Sequence, residues 1–428
     1  MAYTETTTTG YFQRLGSSFS GMGLGIVLFI VGSGLLWWNE GNFVATRNAL
    51  NEAQGLSMEL ASVDQVDPAA DGKLVHAVGN AVTQDLLIDS IFGVSVQGIQ
   101  LKRKVEFYQW TERSSTQKRQ KLGGGEETVT TYTYEQAWQA EPVNSQNFKD
   151  PQARTAHVNT TALTVQNETF KATNVTFGAY RLPDFLISSI SGAQPLNVQL
   201  TQEQKNGLNQ QIRNQHAAAA RQQGGGMWSA AQGGYGYGAT DMVHEQGNVV
   251  YVGAAPNAPQ IGDVRITFTY VQPAKQISVL AQVNGNTFRP FKTKNGKTVS
   301  ALSMGVKSMD EMYEAKHTSN SMLTWVLRFA GAALVIAGLK VLFAPLSVLA
   351  SVVPILGRIV GAGAGLVSSL LGGAWSLLVL SLAWLRFRPM IGGIMLAIAV
   401  VLVSLLMLRG KGDRKSTRLN SSHGRRSR

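Results

Sequence analysis

Apolar residues collect at the two ends of the chain, and polar residues hold the middle. An uncharged apolar stretch covers residues 19–38, and three more crowd after Met322, at 323–343, 366–385 and 390–408. Each approaches the roughly 20 residues that an α-helix needs to cross a ~30 Å hydrocarbon core. Residues 39–322 are mostly polar. The pattern predicts an α+β integral membrane protein with four transmembrane helices, one N-terminal and three C-terminal, flanking a large extramembrane domain.

Inside 39–322 the apolar period shortens. Val264-Arg265-Ile266-Thr267-Phe268-Thr269-Tyr270 alternates strictly between apolar and polar residues, the mark of a half-buried strand. Similar alternation recurs at 277–283, 128–134 and 105–110, with weaker strand patterns at 74–82 and 157–165. Asn284-Gly285-Asn286 and Asn295-Gly296 supply turns between segments. The expectation is a mainly antiparallel β domain, as a barrel or a sandwich. Helix is predicted at 42–60 and at 201–223, and the Gly/Ala/Tyr stretch 224–238 reads as a low-complexity loop.

The membrane segments carry their own signals. Trp37 and Trp38 close the first span as interfacial rings, and Asn39-Glu40-Gly41 then returns the chain to water. A cleaved signal peptide fits less well, because Arg14 is the only early basic residue and bulky indoles occupy the exit; residues 1–18 are then a short tail. Trp325, Arg328 and Lys340 read as interfacial anchors of the second span, the cations snorkelling to water. Residues 344–365, interrupted by Pro354, Arg358 and the run Gly361-Ala362-Gly363-Ala364-Gly365, suit an interfacial or re-entrant segment better than a span. Gly21, Gly25 and Gly32, and again Gly361 and Gly365, are spaced as helix-packing positions. Packing within one chain and self-association both stand as readings of that spacing.

Orientation is contested by the flanking charges. Arg409 and Lys411 favour a cytoplasmic C-terminus in a four-span chain, which leaves Arg386 and Arg388 facing outward in the last turn. A five-span chain repairs that turn but forces a span through Arg358. The four-span reading places the central domain outside the cytoplasm.

Composition adds exclusions. The net charge is +12, but residues 409–428 alone hold eight Lys or Arg against one Asp. That basic tail is unpatterned, as disordered segments are, and resembles a non-native read-through. Without it the chain is only mildly basic, too weak a cue for nucleic acid. Cysteine is absent, which removes disulfides, thiolate metal sites and cysteine nucleophiles. His76, His157, His216, His244 and His317 are scattered, without a metal-ligand spacing. Gly123-Gly124-Gly125-Glu126-Glu127 lacks the Lys and Ser/Thr of a phosphate loop and reads as a hairpin turn. No catalytic, cofactor or metal residues are indicated. Asn159, Asn167 and Asn174 each begin a glycosylation pattern, which matters only in a secretory lumen.

A family resemblance gathers these pieces. Glu106-Phe107-Tyr108-Gln109-Trp110, Gly124-Gly125-Glu126-Glu127-Thr128, Thr131-Tyr132-Thr133-Tyr134-Glu135 with Trp138, Pro345-Leu346-Ser347, and Pro354-Ile355-Leu356-Gly357 resemble the transmembrane protein 43 family, also called LUMA. Trp38-Asn39-Glu40-Gly41 and Ala383-Trp384-Leu385 with Arg388-Pro389 fit the same pattern, so the likeness runs from Gly16 to about Leu408. It implies four spans, a lumenal or equivalent domain, no catalytic residues, and a role in organising membrane complexes through self-association. Animal members sit in the endoplasmic reticulum and inner nuclear membrane with emerin and lamins as partners. A bacterial chain would place the architecture in the inner membrane without those partners. The expected function is a non-enzymatic membrane scaffold whose partners are the bilayer, other copies and other membrane or envelope proteins; the alternative is a transporter or channel component using the Pro/Gly break at 354–365 as a re-entrant element.

Overall fold

The structure is a computed structural model that describes residues 2–222 and 241–394. The low-complexity stretch 224–238, the tail 409–428 and all but the first residues of the segment 390–408 lie outside the described residues. Two compact units emerge. One comprises the chain up to Thr7, Glu52–Lys118 and Thr128–Ala315; the other comprises Thr8–Asn51, Arg119–Glu127 and the chain from Lys316 onward.

The first unit is built on sheets whose long ladders are antiparallel, with short parallel pairings of Arg181 with Thr287 and of Met58 with Val75. We label its principal strands β1 (Ala2–Thr9), β2 (Leu74–Thr83), β3 (Gln100–Gln120), β4 (Glu126–Gln139), β5 (Val175–Phe177), β6 (Tyr180–Arg181), β7 (Val243–Gln246), β8 (Val249–Val252), β9 (Val264–Val271), β10 (Ala274–Asn284), β11 (Thr287–Arg289) and β12 (Ala301–Met304). The larger sheet runs β1-β4-β3-β9-β8-β7, with two short strands added at β3 and β9. The smaller runs β12-β10-β11-β6-β5-β2, and β2 also pairs β10. The larger sheet's path ends at β1 and β7, and no barrel enclosing the domain is described by these ladders.

Alternation along β9 does what its period implies. Val264, Ile266 and Phe268 are fully buried, opposite Phe107, Val105 and Arg103 of β3. β10 departs from the half-buried expectation, because Ile277 to Ala281 are buried without a break. The one hydroxyl in that run is satisfied internally: Ser278 Oγ donates to the Gly305 carbonyl at 2.9 Å and accepts from Lys307 N–H at 2.8 Å. The turn at 121–125 follows from Gly123 and Gly124, whose positive φ values of 84° and 82° are cheap only without a Cβ.

The weak strand pattern at 157–165 is not a strand. Asn159 intercepts the ladder there: its Oδ1 accepts Trp110 N–H at 2.8 Å and its Nδ2 donates to the Trp110 carbonyl at 2.9 Å. Asn167 Oδ1 similarly accepts Val105 N–H at 2.7 Å. Side-chain amides thus take the hydrogen bonds that a neighbouring strand would take. The alternation survives because Leu163 and Val165 still point into the core.

The second unit is helical. We number the long helices α1 (Tyr11–Leu56), α2 (Gln202–Gln222, in the first unit), α3 (Met309–Ala350) and α4 (Pro354–Phe387). α1, α3 and α4 are each long and apolar enough to cross a membrane. Two sequence boundaries shift. The expected span 19–38, the helix 42–60 as far as Leu56 and part of the tail 1–18 are one helix of 46 residues, ~69 Å at 1.5 Å per residue; nothing between Trp38 and Asn42 breaks it. The interfacial or re-entrant segment 344–365 is divided between the end of α3 and the start of α4, which runs unbroken through Gly361, Gly363 and Gly365. Pro354 opens α4, where its missing N–H costs nothing.

Candidate functional site

Glycines set how closely α1 and α3 approach. A Cβ on Gly25 would lie 2.9 Å from the Gly338 carbonyl oxygen, and one on Gly32 would lie 2.8 Å from that of Gly331. Gly21 is looser, 3.8 Å from Val341. The pairing order is antiparallel, and Leu36, Val335 and Val379 close the centre where α4 joins. α4 is held by Gly372 against Ile336 and by Trp375, whose indole N–H donates to Ser33 Oγ at 2.9 Å. Gly361 and Gly365, by contrast, are not in such a crossing. Gly365 has nothing within 4 Å of its Cβ position among the described residues, and Gly361 meets only Ser347 at 3.7 Å.

Because the three helices alternate in direction, the exit of α1, the entry of α3 and the exit of α4 meet at one end. There Glu40 is fully buried. Its Oε1 accepts from Arg328 Nε at 2.6 Å; its Oε2 accepts from Arg328 Nη2 at 3.0 Å and from the Trp384 indole N–H at 2.9 Å. Arg388 Nη2 stands 3.4 Å from the same oxygen. One carboxylate therefore ties α3 and α4 to α1 by charge-assisted bonds, the strong kind. Neighbouring residues reinforce it: Asn39, also buried, donates to the Thr324 carbonyl at 3.0 Å, and Asn320 donates to the Phe43 carbonyl at 3.2 Å. Gly41 leaves room for the Phe387 ring, 2.9 Å from where a Cβ would be.

These contacts revise the reading of Asn39-Glu40-Gly41 as the return to water. The expected anchors fare differently. Trp37, Trp38 and Trp325 are 40–56% exposed. Lys340 is exposed and unpaired among the described residues. Arg328 is not a free snorkelling cation: it holds Glu40 and lies 4.6 Å from the Trp325 ring centroid. Glu40, Trp384 and Arg388 were missed. The available signal was a lone acid at the end of one apolar stretch, an arginine near the start of another, and two arginines at the end of a third.

The first unit has polar centres of its own. Arg103, 2% exposed, pairs with buried Asp89 at 2.5 Å and with Glu168 at 2.9 Å. His76 bridges Glu59 at 2.6 Å and the Lys307 carbonyl at 2.9 Å. Trp110 stacks on His157, and Trp138 lies under Arg265 at 4.4 Å. Among the described residues no three His, Asp or Glu side chains gather as a metal group.

Comparison with known proteins fits this architecture. The family model for Transmembrane protein 43 matches residues 107–389, more than half of the chain. The chain belongs to the Transmembrane protein 43 family. Transmembrane protein 43 of Rattus norvegicus is 28% identical over 415 residues, covering 95% of this chain and 94% of the relative. That of Homo sapiens is 27% identical over 409 residues, covering 94% and 92%. The Transmembrane protein 43 homolog of Drosophila melanogaster is 24% identical over 378 residues, covering 87% and 90%. No solved structure matches. The matched region of the Transmembrane protein 43 family takes in Arg328, Trp384 and Arg388, while Glu40 precedes it.

Proposed function

We propose that the chain is a non-enzymatic integral membrane scaffold that assembles with further copies and with other membrane proteins. The observation that supports it is a row of small residues on α4, two of whose glycines are open among the described residues. Gly361, Gly365, Ser369 and Gly373 recur every four residues on one face, and Gly365 and Gly373 have no neighbour within 4 Å of a Cβ position among the described residues. The glycines of the α1–α3 crossing are already occupied, so α4 is where another apolar helix can approach closely. The β unit would add a large polar surface for partners. The transporter alternative rested on a break at 354–365, and α4 is continuous there.

The test is native mass of the tagged protein purified from its own membranes after mild crosslinking. The scaffold reading expects a defined oligomer or a reproducible membrane-protein partner, reduced by Gly365→Leu and Gly373→Leu. A monomer without partners, unchanged by those substitutions, would overturn it.

A further inference from the structure

The node around Glu40 carries more positive charge than its carboxylate balances. Arg328 takes both Glu40 oxygens, so Arg388 receives only the 3.4 Å contact, and its Nε and Nη2 are buried with no hydrogen-bond acceptor among the described residues. Such groups in native structures call for a partner. The guanidinium is nonetheless held in place, 4.2 Å over the Phe43 ring and 5.8 Å from that of Trp384. Phe43 and Arg47 follow Glu40 on α1 at spacings of three and seven residues, which puts all three on one helix face. Arg47 is exposed, forms no ion pair among the described residues, and is near enough that its charge, like that of Arg328, opposes protonation of Arg388. Burial is the larger influence in the same direction, with Glu40 acting against both. Two guanidinium groups thus face one side of α1, Arg388 over Phe43 and Arg47 one turn further along the helix.

We propose that Arg388 and Arg47 together bind the phosphate of an anionic lipid headgroup, seated beside Phe43 where α1, α3 and α4 meet. Guanidinium suits phosphate because its planar donors pair with two oxygens at once. A headgroup is favoured over a free ion because the acyl chains would extend along the apolar faces of α1 and α4, where Trp38 and Leu382 are exposed. The rest of the node would then be neutral, Glu40 balancing Arg328.

The experiment is native mass spectrometry of the full chain in mild detergent, titrated separately with phosphatidylglycerol, phosphatidylcholine and inorganic phosphate. Retention of phosphatidylglycerol over phosphatidylcholine is expected, weakened roughly fivefold by Arg47→Gln and by Arg388→Gln, with no change for Lys294→Gln. Arg388→Gln also alters the Glu40 node, so Arg47→Gln, an exposed site, keeps the test independent of folding. Equal retention of the two lipids, or retention untouched by Arg47→Gln, would overturn the proposal. Displacement of the lipid by millimolar phosphate would also overturn it, assigning the site to a free anion.

Discussion

Glu40 holds its place through what surrounds it. A buried carboxylate is costly unless paired and hydrogen-bonded, and Glu40 has Arg328, Trp384 and Arg388. Removing the charge leaves two arginines, 10% and 17% exposed, against a neutral amide. Glu40→Gln is expected to destabilise the helical unit by about 3–5 kcal/mol, the cost of breaking a buried pair from one side. Glu40→Gln combined with Arg388→Gln should recover part of that loss, since one stranded charge is gone. Thermal unfolding of the detergent-solubilised protein measures both; additive losses would refute the coupling.

A second residue speaks to pH. Tyr134 donates to Glu112 at 2.7 Å and accepts from Asp150 N–H at 3.1 Å. Burial first, then the bond to Glu112, push its hydroxyl from 10.0 up to about 12. The folded state therefore keeps a proton that the unfolded state releases, so this contribution to stability is complete below pH ~10 and declines between ~10 and ~12. Phenolate absorbance of the wild type should contain a component near pH 12 that Tyr134→Phe removes. If Tyr134→Phe instead removes a component near 10, the Glu112 bond is not maintained in solution.

At the scale of elements, glycine positions divide by what faces them. Gly25 looks onto backbone, the Gly338 carbonyl at 2.9 Å and Leu342 N at 3.2 Å, and backbone cannot swing aside as a side chain can. Gly25→Leu should cost about 1–3 kcal/mol by forcing α1 and α3 apart. Gly363→Leu, with nothing within 4 Å among the described residues, should change stability by less than about 0.5 kcal/mol. Unfolding in detergent would show the contrast, and equal effects would mean that the two helices do not cross at these glycines. The spacing of Gly21, Gly25 and Gly32 was legible in the sequence, but it did not name the partner helix. Gly361 and Gly365 share that spacing without sharing its environment, because i,i+4 periodicity defines a face and says nothing about what covers it. The segment 157–165 was misread for a related reason: its apolar residues enter the core as a strand's would, while Asn159 takes the backbone bonds of β3. Side-chain replacement of a ladder leaves no trace in hydrophobic period.

For the whole molecule, the three described spans and the β domain were readable because length and period are local properties of the chain. The charge node was not readable, since Glu40 and Trp384 lie 344 positions apart, Arg388 lies further still, and only the alternation of three crossings brings them together. That alternation also eases the conflict over orientation. Of the two arginines in that last turn, Arg388 lies against Glu40 while Arg386 remains a flanking charge. The opposite end of the helices holds Arg14, Lys340 and Arg358, with Arg14 paired there to Glu126. A chain without cysteine allows this to be tested with single introduced thiols. Gly10→Cys and Val352→Cys should react with an impermeant maleimide from the cytoplasmic side of sealed vesicles, and Lys294→Cys and Met390→Cys from the other. All four positions are exposed, so a silent thiol would reflect sidedness rather than burial. Labelling of Val352→Cys and Met390→Cys from one side would mean that α4 does not cross, and the meeting of Glu40, Arg328 and Arg388 at a single membrane face would fall with it.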